Sequence, residues 1–266
     1  MHVLKPRYRA ALRYLRRSDP LYKWRISSSA CPNCSGKFFL SMRPDAFMTR
    51  CLRCGANVTN LSLIPVIKLH NTDHQIACAY EMSTYGATLN FLKGNFREVI
   101  TSEYFPNKKP GEIVNGILNQ DVQNLTFKNC SVDLITSNQV FEHVPDDIAG
   151  YSECYRVLRL NGALIFSIPL YDIPSTEMLA EIKDNDIVFY REPEYHDSRS
   201  GGPKSALTFW HHSIHDICER VAQAGFNVSI IDIAIAPSQK IPAKVVYAVK
   251  TSSMAGGFAT TASTLI

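Results

Sequence analysis

The sequence predicts an α/β protein: a mostly parallel sheet with helices on both faces, preceded by a small cysteine-rich module. Three observations carry this. Apolar runs at Ile76–Tyr80, Val99–Glu103, Val132–Asn138 and Ala163–Leu170 are separated by turn residues and helical periodicity. Two later runs, Val228–Ala234 and Ala243–Val249, enclose Pro237 and Pro242, which fits an antiparallel hairpin ending the sheet. Two Cys-x-x-Cys pairs stand ahead of the first run.

A chain of 266 residues is ample for one such domain plus a small module. The longest apolar runs, such as Ala163–Leu170, are too short to span a bilayer. The basic N-terminus has no apolar signal region, so a cytoplasmic protein is the expectation. The net charge of +4 is unevenly spread: residues 1–25 hold eight Lys/Arg and one acid, a local +7, leaving −3 for the rest.

Residues 1–28 read as a basic arm. Pro6 suits a first helical turn, and Tyr8, Ala11, Leu12 and Leu15 form a stripe ended by Ser18-Asp19-Pro20. Either the stripe docks on the protein, or the arginines meet nucleic acid, anionic lipid or an acidic glycan. Residues 29–56 form the cysteine module. Cys31 and Cys34 are separated by sixteen residues from Cys51 and Cys54, the spacing of a four-cysteine zinc ribbon. Gly36 and Gly55 are expected to relieve the two knuckle turns. Four thiolates close the coordination sphere, so the zinc should be structural. A redox-active pair is the competing reading, and the duplicate pair argues against it. The other four cysteines lie in apolar contexts and read as core.

Residues 57–74 are a connector, with Asn60 expected to cap a short helix that Pro65 limits. The main domain is placed at 75–250. Its first strand ends at Glu81, Ser83–Gly86 turn, Leu89, Leu92 and Phe96 recur at helical spacing, and Val99–Glu103 ends in an acid. Strand, turn, helix and a later carboxylate are the layout of a nucleotide-binding βαβ unit, although an ordinary βα turn would read the same way. Ile113–Ile117 is a weak strand before Asp121. Pro145–Leu158 reads as a helix closed by Gly162, and Glu177–Ile182 as a short one. Arg191–Pro203 reads as a long polar loop, His212–Ala224 as a helix, and residues 251–266 as a mobile tail.

The run Ser131-Val-Asp133-Leu-Ile-Thr-Ser-Asn138-Gln-Val-Phe-Glu142-His143-Val-Pro is followed by Tyr155-Arg156-Val-Leu-Arg-Leu-Asn161-Gly162-Ala-Leu-Ile-Phe-Ser-Ile-Pro169. Together they resemble the signature of class I S-adenosyl-L-methionine-dependent methyltransferases over roughly residues 75–250. Glu194-Tyr195-His196 resembles a bacterial subgroup whose members often carry a cysteine-knuckle module ahead of the domain. The resemblance implies a Rossmann-like seven-stranded methyltransferase sheet of order 3-2-1-4-5-7-6. It implies that Glu81 and the turn Ser83, Thr84 and Gly86 hold the methionine moiety. Glu103 would hold the ribose, with Tyr104 beside it also at the cofactor, Asp121 and Val122 the adenine, and Asn138 and Gln139 would lie under the sulfonium. The family's glycine positions in the first motif are here Ser83, Tyr85 and Ala87, with Gly86 one step out of register.

His143, Tyr195 and His196 are the candidate catalytic residues, each weighed against a packing or capping role. His211, His212 and His215 resemble a metal cluster by count but lack a matched carboxylate in the sequence, so no second metal is expected. Asp133 reads as a fold-stabilising hydrogen bonder. The expected function is methyl transfer to a small-molecule or saccharide acceptor. One alternative is an RNA methyltransferase that uses residues 1–30 and the ribbon for binding. A second is an inactive methyltransferase-fold adaptor.

Overall fold

A computed structural model describes residues 23–184, 186–198, 201–252 and 263–265. The basic helix expected within the arm lies outside the described residues. The cysteine module is a three-stranded antiparallel sheet of β1 (Arg25–Ser28), β2 (Phe38–Ser41) and β3 (Thr49–Cys51). Two helices follow, α1 (Val58–Leu61) and α2 (Leu63–Asp73). Asn57, not Asn60, caps α1: its side chain accepts from the Asn60 N–H at 2.9 Å. Pro65 falls in the first turn of α2, where its missing N–H has no intrahelical partner to lose, so it does not limit the helix.

The main domain runs β4 (Cys78–Glu81), α3 (Ala87–Asn95), β5 (Glu98–Glu103), β6 (Ile113–Val114), β7 (Ile117–Asn119) and β8 (Val132–Asn138). A 3₁₀ turn (Phe141–His143), α4 (Asp147–Val157) and β9 (Leu158–Ser167) follow. Seven short strands come next: β10 (Leu170–Tyr171), β11 (Glu177–Met178), β12 (Ala180–Lys183), β13 (Asp186–Phe189), β14 (Tyr195–Ser198), β15 (Gly202–Leu207) and β16 (Trp210–Ser213). The chain then forms α5 (Ile217–Ala222), β17 (Asn227–Ile233), β18 (Ala243–Val249) and β19 (Ser263–Leu265).

Nine strands pair in the order β19-β17-β18-β9-β8-β4-β5-β7-β6. With β4, β5, β7, β8, β9, β17 and β18 numbered 1 to 7 along the chain, the order is 3-2-1-4-5-7-6. The first five are mutually parallel, and β18 runs antiparallel to both β9 and β17. Side chains alternate between the faces. Ala79, Leu134 and Ile165 pack with α2 and α3 on one face, and Tyr80, Ile135 and Phe166 with α4 and α5 on the other. Burial on both faces explains why Ala163–Phe166 of β9 reads as a continuous apolar run. The first core continues without a break into Phe39, Cys51, Val58 and Leu61, so the cysteine module shares the sheet's core.

Several local expectations are corrected. Among the described residues no helix links β5 to β7 or β7 to β8. The first of these connections contains Pro106, Pro110, Gly111 and Gly116, and the Asn119 amide pins it by donating to the carbonyls of Lys108 (2.9 Å) and Lys109 (3.1 Å). The helix before β9 ends at Val157, and Gly162 lies inside β9. There a Cβ would come within 2.8 Å of the Asp133 carbonyl, so the glycine permits a close strand approach and is not a cap.

Glu177–Ile182 is strand because Ala180–Lys183 finds an antiparallel partner in the β-prone Ile187-Val188-Phe189 segment. The polar loop is the hairpin β14–β15. His212 belongs to β16, not to a helix. In the tail expected to be mobile, Ser263–Leu265 pairs in parallel with β17. No helix among the described residues is long and apolar enough to cross a membrane.

The seven-strand segment is tied back to the sheet by one buried charge network. Asp147 and His212 are both fully buried, with Nε2 of His212 2.9 Å from the Asp147 carboxylate. Arg220 donates to both Asp147 oxygens, at 2.7 and 2.6 Å, and lies over the Trp210 ring. Burial alone would raise the Asp147 pKa; the hydrogen bonds from His212 and Arg220 outweigh it and hold the carboxyl below its ordinary range. Replacing Asp147 by Ala leaves the fully buried His212 and the largely buried Arg220 without their acceptor, so a loss of about 3–5 kcal/mol is expected in chemical denaturation. A loss within the range of an exposed ion pair, under about 1 kcal/mol, would count against this role.

Candidate functional site

The carboxyl ends of β4, β5, β7 and β8 lie together at one edge of the sheet, where an open parallel sheet leaves a crevice. The turn after β4 is braced from three directions. Oε1 of Glu103 accepts from the Thr84 N–H (2.9 Å) and the Thr84 hydroxyl (2.6 Å). The Thr136 hydroxyl donates to Glu81. The Asn138 amide donates to the Thr88 hydroxyl (3.0 Å), which in turn donates to the Asn60 carbonyl (3.0 Å). Gly86 opens α3 at φ 112° and ψ 174°, a conformation essentially reserved for glycine. The one glycine left in the turn therefore stands where the backbone requires it.

Two clefts flank this turn. One is lined by Glu81, Ser83, Gly86, Thr88, Asn138 and Asn60. The other is an open cleft of about 500 Å³ between β5 and the 3₁₀ turn, and is lined by Glu103, Tyr104, Asp121, Val122, Val140 and His143 among others. Eight of the ten residues expected to hold the cofactor line one or the other. Thr84 instead braces Glu103. Gln139 is held at φ 55°, with its N–H on the Ser167 carbonyl, an uncommon left-handed residue at the end of the central strand. Oδ1 of Asp121 accepts from the Gln123 backbone and side chain, at 2.9 and 3.0 Å. Sequence reasoning missed Asn60 and Thr88. Thr88 carried a faint signal as a small hydroxyl opening a helix; Asn60 reaches the site only through the packing of α1 on α3.

Burial pushes the Glu81 carboxyl up to about 8; Thr136 pulls it down and Glu103 raises it further. Glu142 is pushed up to about 8 for the same first reason, and neither of its oxygens has a hydrogen-bond partner.

A second cluster adjoins the larger cleft. His143 Nδ1 lies 2.8 Å from the Leu207 carbonyl, and its Nε2 lies 3.2 Å from Nδ1 of His196. Nε2 of His196 bonds Glu194 at 3.0 Å, and the other Glu194 oxygen bonds His211 at 2.8 Å. Burial drives the His143 pKa down to about 4. Asp146, not His143, caps α4. Tyr195 stands beside His196 in β14, and alternation turns it to the opposite face of the hairpin, where it is 44% exposed. The structure thus unites His143 with His196 and leaves Tyr195 apart. The expectation that the C-terminal histidines lack carboxylates is corrected: His211 meets Glu194, His212 meets Asp147 and His215 meets Asp172, each within 2.9 Å.

The four cysteine sulfurs of the N-terminal module lie within 4.8 Å of one another. Its two knuckles repeat one pattern: the Ser35 N–H bonds the Cys31 carbonyl and the Gly55 N–H the Cys51 carbonyl, both at 2.9 Å. In the first knuckle the left-handed residue is Ser35 (φ 56°). Gly36 is needed for a different reason: a Cβ there would crowd the Cys34 and Cys51 sulfurs at 3.2 and 3.1 Å.

Strand order and cleft together define a Rossmann-like methyltransferase fold. Residues 83–166, under half of the chain, match the family model of a methyltransferase domain. No curated protein matches the chain. Among solved structures, an S-adenosylmethionine-dependent methyltransferase from Clostridium acetobutylicum is similar at 17% identity and TM-score 0.46, over 72% of this chain and 90% of that one. One from Mesorhizobium loti is similar at 12% and 0.45, over 69% and 96%. The 1,6-didemethyltoxoflavin-N1-methyltransferase of Burkholderia thailandensis is similar at 13% and 0.44, over 73% and 80%.

Proposed function

We propose that the chain is an S-adenosyl-L-methionine-dependent methyltransferase acting on a small-molecule or saccharide acceptor. The observation that carries it is the pair of clefts on either side of the β4 turn, with Glu81 and Glu103 at the ends of adjacent strands. The residues fit the cofactor. Glu103 is already anchored through Thr84 and lines the larger cleft, where a carboxylate accepts from ribose hydroxyls. Glu81 is a buried carboxyl that a cationic ligand would ionise. The bound cofactor supplies an electrophilic methyl group on a positive sulfur. The protein's own part is alignment and exclusion of water, with Asn138 and Thr88 fixing the wall under the reacting centre. His143 and His196 stand at the rim as the groups that handle an acceptor proton, and Tyr195 is not placed to share that work.

Calorimetry with S-adenosylhomocysteine tests this reading. Binding is expected, and Glu103→Ala should weaken it by about 1–3 kcal/mol through lost ribose bonds. No heat at high micromolar ligand would favour the inactive-adaptor reading.

We assign zinc to Cys31, Cys34, Cys51 and Cys54. The Cys31–Cys54 and Cys34–Cys51 sulfur separations are 3.8 and 3.6 Å. A tetrahedron of thiolates around zinc has an edge of about 3.8 Å. Metal analysis of the purified chain should find this zinc, and Cys31→Ser together with Cys51→Ser should abolish it. A folded, metal-free wild type would refute the assignment.

An RNA acceptor is the second reading. The module exposes Trp24, Phe38 and Phe47 among the exposed Lys23, Arg25, Lys37 and Arg43, and aromatic faces among cations suit single-stranded bases. Steeply salt-dependent RNA binding that vanishes on removal of residues 1–30 is its expected signature. Salt-insensitive or absent binding leaves the small acceptor.

A further inference from the structure

We propose that Glu142, His143 and His196 form a second metal site, for a divalent cation at the rim of the larger cleft, with open positions for an oxygen ligand of the methyl acceptor. The role in acceptor binding rests on the methyltransferase reading; the metal site itself does not.

The argument begins with the ring nitrogens. A backbone carbonyl can only accept, so His143 donates from Nδ1 to Leu207 and its Nε2 carries a lone pair. Glu194 accepts from Nε2 of His196, so Nδ1 of His196 also carries a lone pair. These two nitrogens face each other at 3.2 Å. Two lone pairs repel at that distance unless a cation lies between them, either a shared proton or a metal.

Glu142 separates the two cases. Its side chain is 1% exposed and neither carboxylate oxygen has a hydrogen-bond partner. Oε1 lies 3.8 Å from Nε2 of His143, and the ligand atoms of all three residues fall within 4.8 Å. A proton shared by the two rings leaves the carboxylate as orphaned as before. A metal bound by all three satisfies every one of these groups. The spacing suits it: two imidazole nitrogens on one tetrahedral zinc stand about 3.3 Å apart.

The outer partners complete the pattern. Metal-bound histidines commonly donate their second N–H to a carbonyl or carboxylate, which fixes ring and tautomer. Leu207 does this for His143 and Glu194 for His196. Glu194 is itself held by His211, whose ring stacks on Tyr171 at 4.2 Å. Two imidazoles and a carboxylate leave coordination positions open, as in sites that bind substrate. His143 lines the same cleft as Glu103 and Asp121, so those positions face the proposed cofactor site. A metal there would lower the pKa of a bound hydroxyl, taking over from the two imidazoles the handling of the acceptor proton, which points to an acceptor methylated on oxygen.

The test uses the full chain with its cysteine site loaded with zinc. Mn²⁺, a poor thiolate ligand partner, is titrated and bound metal counted by electron paramagnetic resonance. One equivalent is expected. His196→Asn and Glu142→Gln should each weaken binding at least tenfold while S-adenosylhomocysteine binding and the melting temperature stay near wild type; the variant on the half-buried hairpin guards against misfolding of the buried one. Co²⁺ then replaces Mn²⁺, and catechol serves as a minimal hydroxyl ligand. A change in the cobalt absorption supports acceptor binding, and none overturns that part. Wild type that binds neither Mn²⁺, Co²⁺ nor Zn²⁺ beyond the cysteine-held ion overturns the site and leaves the shared proton. Metal binding without S-adenosylhomocysteine binding would instead sink the methyltransferase reading alone.

Discussion

The turn after β4 depends on side-chain oxygens more than on glycine. Glu103 holds Thr84, Glu81 holds Thr136, and Asn138 holds Thr88. The first and third join the turn and its helix to neighbouring strand ends, and the second joins β4 to β8, so three strands and α3 are fixed at one point. Backbone freedom is spent only at Gly86. The rest of the cleft follows from that point: β5 delivers Glu103, β8 delivers Asn138, and the chain beyond β8 turns through the left-handed Gln139 into the segment bearing Glu142 and His143.

Much of this was legible in the sequence. The apolar strands, the acids at their ends and the paired knuckles are local patterns, and each forms where its pattern stands. Asp133 is the fold-stabilising bonder it was read to be: it accepts from Ala77 and Cys78 and pairs with Arg159. What escaped was non-local. Glu177–Ile182 has helical composition, and only the pairing of Glu177–Met178 with β16 and of Ala180–Lys183 with β13 makes it strand. The carboxylate partners of His211, His212 and His215 lie 17, 65 and 43 residues away. No window of sequence brings them together. The union of His143 with His196 likewise depends on the β14–β15 hairpin folding back over the 3₁₀ turn.

The seven short strands between β9 and α5 are a layer of their own. They make only two- and three-strand sheets and expose Ile182, Ile187, Phe189 and Tyr195. Their attachment is polar: the Asp147–His212–Arg220 network, the Trp210 indole on the Val144 carbonyl, and the His143 contact with Leu207. Two of these three anchors end on residues between Glu142 and Asp147, so the loop carrying the candidate acceptor chemistry and the layer covering it position each other.

The cysteine module is also less separate than its sequence suggests. The Ser238 hydroxyl bonds both Ser27 and Ser41, and the N–H groups of Lys240 and Ile241 share the Pro44 carbonyl. On its other side, Asn60 receives the Thr88 hydroxyl. The module is thus clasped between the β17–β18 loop and the mouth of the smaller cleft. It behaves as masonry in the wall of the cleft: releasing the zinc assigned to it would loosen the hairpin loop at Ser238 and the floor beneath Thr88 together.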